Sequence, residues 1–265
     1  MAVHDEASFE SAIEADLLAG GWEKGSPGHY NTTLGLDTAE LMAFFGATQA
    51  KSFNKIKGFY GGVEKAQRKV AERIAAEIDA RGTLDVLRRG VKDHGTLLRL
   101  AYFAPAHSIT PELQQLYAAN RLTVTRQLRY SARTTDELDL ALFVNGVPVA
   151  TAELKNQLTG QTVEHAKSQY RTDRDPRELL FAKRALVHFA VDQDLAFLTT
   201  SLAGGDTRFL PFNLGTAGPG TAGGAGNPAA EEPGAYRTSH LWRSVWQRDA
   251  CWTCSPGSCT SRTGR

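Results

Sequence analysis

Asp139, Glu153 and Lys155 are two acids and an amine on adjacent short segments, a set suited to metal-assisted cleavage of a phosphodiester. The first segment, Glu137-Leu138-Asp139-Leu140-Ala141-Leu142-Phe143-Val144, is mostly apolar and has strand composition. Asn145-Gly146 comes next, a strong signal for a tight hairpin turn. Val147-Pro148-Val149-Ala150-Thr151-Ala152-Glu153-Leu154-Lys155 then reads as the return strand. Side chains alternate along a strand, so Glu153 and Lys155 point the same way. Two converging carboxylates suit Mg²⁺, which prefers oxygen ligands and keeps several waters. A lysine beside them can orient or help deprotonate the attacking water.

The turn sets the parity of these side chains. A strict two-residue loop pairs Val144 with Val147 and places Asp139 opposite Ala152, so Glu153 falls on the other face. One additional residue in the loop, or one bulge, restores the shared face. The metal site therefore predicts an irregular turn or a bulge between residues 139 and 153. The alternative is a trio of solvated surface charges. Against it, the two strands are apolar apart from these groups and Thr151, and charges are rarely left in such surroundings unless paired or bound to metal.

The stretch Leu138 to Pro148, with Glu153-Leu154-Lys155-Asn156 after it, resembles the amino-terminal nuclease domain of the restriction (R) subunit of type I restriction-modification enzymes, within the PD-(D/E)xK nuclease superfamily. Further matches are Gly160-Gln161-Thr162, Ala166 to Arg171, Leu186 to Asp192, Arg208 to Asn213, Gly223 to Pro228 and Ser239-His240-Leu241-Trp242. They run in the family's order over roughly residues 5 to 250. The resemblance implies that Asp139 and Glu153 are metal ligands, that Lys155 is the catalytic lysine, and that Gln169 is the glutamine of an accessory Gln-x-x-x-Tyr motif. Here the fourth residue after Gln169 is Asp173, and the tyrosine is Tyr170. Leu138 stands where the superfamily has proline, a position that shapes the strand and supplies no ligand. Many relatives add a carboxylate from the first helix, for which Glu10 and Glu14 are candidates beside the alternative of a solvated helix face.

A chain of 265 residues with a formal net charge of +1 suits one domain with a small appendage and no overall pull toward nucleic acid. Charge is unevenly spread: residues 1–50 carry one Lys/Arg and eight Asp/Glu, residues 51–100 twelve against six. Lys51, Lys55, Lys57, Lys65, Arg68, Lys69 and Arg73, interleaved with Phe53, Phe59 and Tyr60, form either a strip facing DNA or the outer face of an amphipathic helix. The acidic start is no secretory signal, no stretch is suited to span a membrane, and no cysteine precedes Cys251, which together predict a cytoplasmic protein.

Helices are expected at residues 5–19, 38–47, 63–80, 83–89, 111–119 and 163–171, with Thr162 capping the last. Strands are expected at 96–103, 122–130, 139–144, 147–155, 186–191 and 195–200. Helices first, then a mixed sheet with a helix across it, predict an α/β, restriction-endonuclease-like mixed sheet flanked by helices, with an N-terminal helical part. The nuclease domain is placed at 1–202, a Gly/Pro/Ala-rich surface loop or linker at 203–235 and a terminal helix at 236–250.

Other signals carry less. Gly46 to Ser52 looks like a phosphate-binding loop, but Phe45 and Ala50 occupy the two required glycine positions, so no ATP binding is expected. His188 reads as a satisfied core histidine, and Trp242 and Trp246 as packing residues. Cys251, Cys254 and Cys259 make weak zinc evidence without a fourth ligand. Residues 251–265 hold no Leu, Ile, Val, Glu, Asp or Lys. A shift of one nucleotide through GC-rich codons permits an amphipathic helical sequence similar to the one that family members carry at this place. The tail is therefore expected to be an out-of-frame product, and the chain a truncated R subunit that ends before the ATP-driven translocase.

The expected function is that of a Mg²⁺-dependent endodeoxyribonuclease domain cleaving double-stranded DNA, with the methyltransferase and specificity subunits of a type I complex as partners. The alternatives are a catalytically idle fragment that docks on those subunits or binds DNA weakly, and a stand-alone nuclease of the same superfamily.

Overall fold

The computed structural model describes residues 6–104, 111–157, 160–216, 225–230, 232 and 235–252. The tail beyond Trp252 and part of the Gly/Pro/Ala-rich segment lie outside them. The fold is mixed α/β: a seven-stranded mixed sheet flanked by helices, consistent with a restriction-endonuclease-like fold. Strands β1 (Glu23–Lys24), β6 (Leu122–Arg129), β7 (Glu137–Val144), β8 (Val147–Leu154), β9 (Val187–Val191), β10 (Ala196–Thr199) and β11 (Leu210–Pro211) succeed one another across the sheet in that order. β1 is parallel to β6, whereas β6/β7, β9/β10 and β10/β11 are antiparallel. β2 (Tyr30–Asn31) pairs with β3 (Leu36–Asp37), and β4 (Val91–Asp93) with β5 (Thr96–Leu98), as separate two-stranded ribbons.

The chain divides into two compact units. The first comprises residues 1–22, 152–176 and 187–265, the second residues 23–151 and 177–186. In the second unit, α2 (Thr38–Thr48) starts where the Asp37 carboxylate accepts from the Glu40 N–H at 3.0 Å, an N-cap that satisfies one orphan donor. α3 (Ala50–Tyr60) comes next, then α4 (Val63–Arg81), which buries Ala66, Val70, Ala71, Ile74, Ala75 and Ile78 at helical spacing, then α5 (Thr83–Arg89) and α6 (Pro111–Ala118). Arg184 ends a π-helical turn, Leu180–Arg184, and is itself buried. Its guanidinium donates to the Leu34 carbonyl at 2.8 Å and pairs with Asp79 at 2.5 Å.

The β7–β8 turn is held by its backbone conformation and by side-chain hydrogen bonds. Asn145 and Gly146 both have positive φ, 51° and 81°, as the tight two-residue hairpin turn requires. The buried Asn145 amide donates to the Leu100 carbonyl (2.8 Å) and to Asn120 Oδ1 (2.9 Å), and its Oδ1 accepts from the Arg121 N–H (2.7 Å). A Cβ on Gly146 would lie 2.2 Å from the Asp37 carbonyl, so the position excludes a side chain on space as well as on φ. The loop is therefore regular, and the expectation of an irregular turn fails at the turn itself.

In the first unit, α1 (Glu6–Ala19) buries Phe9, Ile13 and Leu17, and Phe9 meets Tyr236 and Trp242 edge-on at 4.7 and 5.9 Å. Trp242 donates to Asp16 at 2.7 Å, Trp22 donates to the Trp246 carbonyl at 2.7 Å, and the buried Trp246 ring meets Phe189 edge-on at 5.3 Å, so both late tryptophans pack as expected. α7 (Val163–Ser168) begins at Thr162, whose N–H donates to His165 Nδ1 at 3.0 Å. The buried Asp192 anchors this start by accepting from the Val163 N–H at 2.8 Å, and also accepts from the N–H groups of Asp194 and Leu195.

Several expectations are corrected. The helix expected through Arg171 changes at Gln169 into a π-helical turn, Gln169–Asp173. The terminal helix is a π-helical turn, Leu241–Val245, with α8 (Arg248–Trp252) after it. The strand expected at 96–103 is only three residues long and belongs to a ribbon outside the main sheet, and the segment read as a loop supplies the edge strand β11. Among the described residues, no helix is long and apolar enough to cross a membrane.

Candidate active site

Three of the four expected site residues belong to the first unit. Glu153 is the penultimate residue of β8 and is completely buried. Lys155 stands two residues on, also buried. Its N–H donates to the Val191 carbonyl at 2.9 Å, and its ammonium donates to the Leu154 carbonyl at 2.9 Å. Gln169, half-buried, opens the π turn, and its Oε1 is buried without a hydrogen-bond donor. Asn156, next to Lys155, is fully buried and accepts from Gln193 at 3.1 Å.

Sequence reasoning missed Arg174. Its Nε donates to Glu153 Oε1 at 2.6 Å, and the arginine side chain is only 6% exposed. A π turn bonds each N–H to the carbonyl five residues back, and here the Arg174 N–H closes onto the Gln169 carbonyl at 3.1 Å. The turn thus ties the backbone of Gln169 to that of the arginine holding Glu153. No local pattern announces this, because the pair is 21 residues apart and π turns leave no apolar period.

Tyr170 is buried against His188 and Phe209, with ring centroids at 5.8 and 6.0 Å. This places Tyr170 in an aromatic cluster. Burial pushes the His188 imidazole down to about 4, so it is neutral at physiological pH, as a core histidine should be. Glu10 and Glu14 are 4% and 8% exposed, which overturns the solvated-face alternative for α1. The signal was present in the sequence, since both flank the stripe of Phe9, Ile13 and Leu17 at a spacing of four.

Asp139 belongs to the second unit. It sits half-buried on β7 between the fully buried Leu138 and Leu140. Arg126 pairs with Leu140 and Leu128 with Leu138, so Gln127 is the residue opposite Asp139 on β6. Gln127 has φ +49°, a left-handed conformation that is rare inside a strand and costs about 1 kcal/mol or more. Local strain of this kind concentrates at functional sites.

The basic strip resolves into two parts. On α4, Arg68 and Lys69 pair with Glu72, and Arg73 pairs with Glu77, as on an ordinary charged helix face. α3 carries Lys51, Lys55 and Lys57 with no acidic residue, and Phe59 beside them is 58% exposed and stacked on His94 at 4.7 Å.

Among the described residues there is no group of three or more His, Cys, Asp or Glu side chains placed to hold a metal. A hard cation on one or two carboxylates, completed by water and substrate oxygens, does not require such a group. The fully buried Glu153 carboxylate is a donor of the right kind for it. No curated protein matches the chain. A family model described as the type I restriction enzyme R protein N terminus matches residues 47–209, more than half of the sequence, and spans Asp139, Glu153, Lys155, Gln169 and Arg174. The chain belongs to the family of type I restriction enzyme R protein N termini.

Proposed function

We propose that the chain is a Mg²⁺-dependent endonuclease domain that cleaves double-stranded DNA within a type I restriction-modification system, with the modification and specificity subunits as partners. The observation that carries this is the burial of Glu153 and Lys155, two residues apart at the end of a central strand, in a chain whose family is that of restriction subunits. Keeping a carboxylate and an ammonium inside costs several kcal/mol of desolvation that their polar partners only partly offset, an arrangement more in keeping with use than with stability. Asp139 and Glu153 would hold the cation, which would polarise the scissile phosphate and acidify a bound water. Lys155 would orient that water or stabilise negative charge building on the phosphate oxygens. Gln169, with its buried Oε1, would steady the lysine or meet the phosphate backbone. Sequence recognition is left to the specificity subunit, as the family resemblance implies.

A second reading, a domain that docks on partner subunits without cutting, is favoured by one feature: α3 exposes lysines and Phe59 on a face with no acid of its own. Plasmid cleavage separates the two. The purified chain is expected to nick supercoiled DNA in Mg²⁺ and not in EDTA, with nicking lost in Lys155→Ala and Asp139→Ala. Nicking that persists in both variants would overturn the assignment.

A further inference from the structure

We propose that Arg174 is a positioning residue that commits one oxygen of Glu153, so that this carboxylate meets a divalent cation through a single oxygen and the site discriminates against Ca²⁺. The inference rests on the reading of Glu153 as a metal ligand. Its starting point is the pair itself. Glu153 is fully buried, Arg174 nearly so, and Nε lies 2.6 Å from Oε1, the short separation of a charge-assisted hydrogen bond. An enclosed ion pair is weak evidence for stability, since desolvation of both charges offsets much of their attraction. A pair kept under those terms calls for another use.

The backbone supports the same conclusion. Arg174 leaves the π turn in extended conformation, with φ −105° and ψ 112°, directly after its N–H has closed onto Gln169. Its backbone is thus fixed by a hydrogen bond at the point where the side chain departs toward Glu153. Chelation by both oxygens of Glu153 would put the cation on the same Oε1 that holds the Arg174 guanidinium, so that two positive charges would crowd one oxygen and repel. Ca²⁺ takes six to eight oxygens and often uses a carboxylate in that bidentate way, whereas Mg²⁺ demands octahedral geometry with one oxygen per carboxylate and retained waters. Groups bonded to a metal's ligands commonly change metal affinity by about 10- to 100-fold when removed. Here the change falls unevenly on the two ions.

The test is calorimetric titration of the full chain with Mg²⁺ and with Ca²⁺, without DNA, for wild type, Arg174→Gln, Arg174→Lys, Glu153→Asp and Glu153→Gln. Arg174→Gln is expected to raise the ratio of Ca²⁺ to Mg²⁺ affinity by about tenfold or more. Arg174→Lys, which keeps the charge and a donor, should stay near the wild-type ratio. Glu153→Asp, one methylene shorter and drawn away from Arg174, should move the ratio as Arg174→Gln does. It decides the matter should Arg174→Gln fail to fold. An unchanged ratio in folded Arg174→Gln, or in Glu153→Asp, would overturn the role of Arg174. No binding by wild type, or wild-type binding by Glu153→Gln, would instead sink the metal site on which the inference stands.

Discussion

The Asn145 amide and the Glu153 carboxylate are both completely buried, yet their partners differ in kind. Asn145 meets only neutral groups, with the Leu100 carbonyl, Asn120 Oδ1 and the Arg121 N–H using its donors and acceptor at 2.7–2.9 Å. Glu153 meets the guanidinium of Arg174, and Lys155 lies two residues on. A saturated neutral network rigidifies a fold at modest cost, whereas buried full charges depend wholly on their partners. The first arrangement is what a turn needs to hold two strands in register. The second is the kind of arrangement on which the proposed function rests.

That contrast is most directly broken at Arg174. Replacing it with alanine takes the charge partner away from Oε1 of a buried carboxylate, and urea unfolding should show a loss of about 3–5 kcal/mol. The double variant Arg174→Met with Glu153→Gln removes both charges and should recover most of that loss. Failure to recover would mean that the arginine stabilises by packing rather than by charge. At the turn, Asn145→Ala removes three hydrogen bonds around a left-handed residue and should cost about 2–3 kcal/mol while leaving divalent-ion affinity unchanged. A change in metal affinity there would erase the distinction between scaffold and site.

His188 sharpens the comparison through pH. Its folded value near 4 lies below the ordinary 6.5, so protonation favours the unfolded chain. Its contribution is full above pH 6.5 and is lost as pH falls toward 4, amounting to about 2 kcal/mol by pH 5. His188→Phe should flatten that part of the stability profile. The smallest effect is expected on α3. Changing Lys51 and Lys55 to glutamine should alter stability by less than about 0.5 kcal/mol, because both are exposed.

Legibility in the sequence divides along the same line. Asn145-Gly146 announced its turn because two left-handed residues between apolar strands have few other uses, and Glu153 and Lys155 stood out as charges in an apolar run. Asp139 was legible as an acid within an apolar strand. The residues of α3 read either as a strip facing DNA or as the outer face of an amphipathic helix, and the helix is what forms, with Ile56 buried between Phe53 and Phe59 at helical spacing. Arg174 could not be read at all. Its partner lies 21 residues away, and the π turn that delivers it is set by tertiary packing rather than by local periodicity. Glu10 and Glu14 stood between a ligand role and a solvated helix face, and their burial removes the second alternative, which the general rule that carboxylates stay exposed had supported.

The regular turn leaves the central claim with a strict structural demand. Paired without interruption, Asp139 would stand opposite Ala152, so a shared cation requires one additional residue along the strands between 139 and 153. A crystal structure of the chain with Mn²⁺, located by its anomalous scattering, measures this directly. One ion is expected within coordinating distance of carboxylate oxygens from both Asp139 and Glu153, with a bulge restoring their common face. An ion bound to Glu153 alone, with Asp139 on the opposite face of an unbroken hairpin, would contradict it.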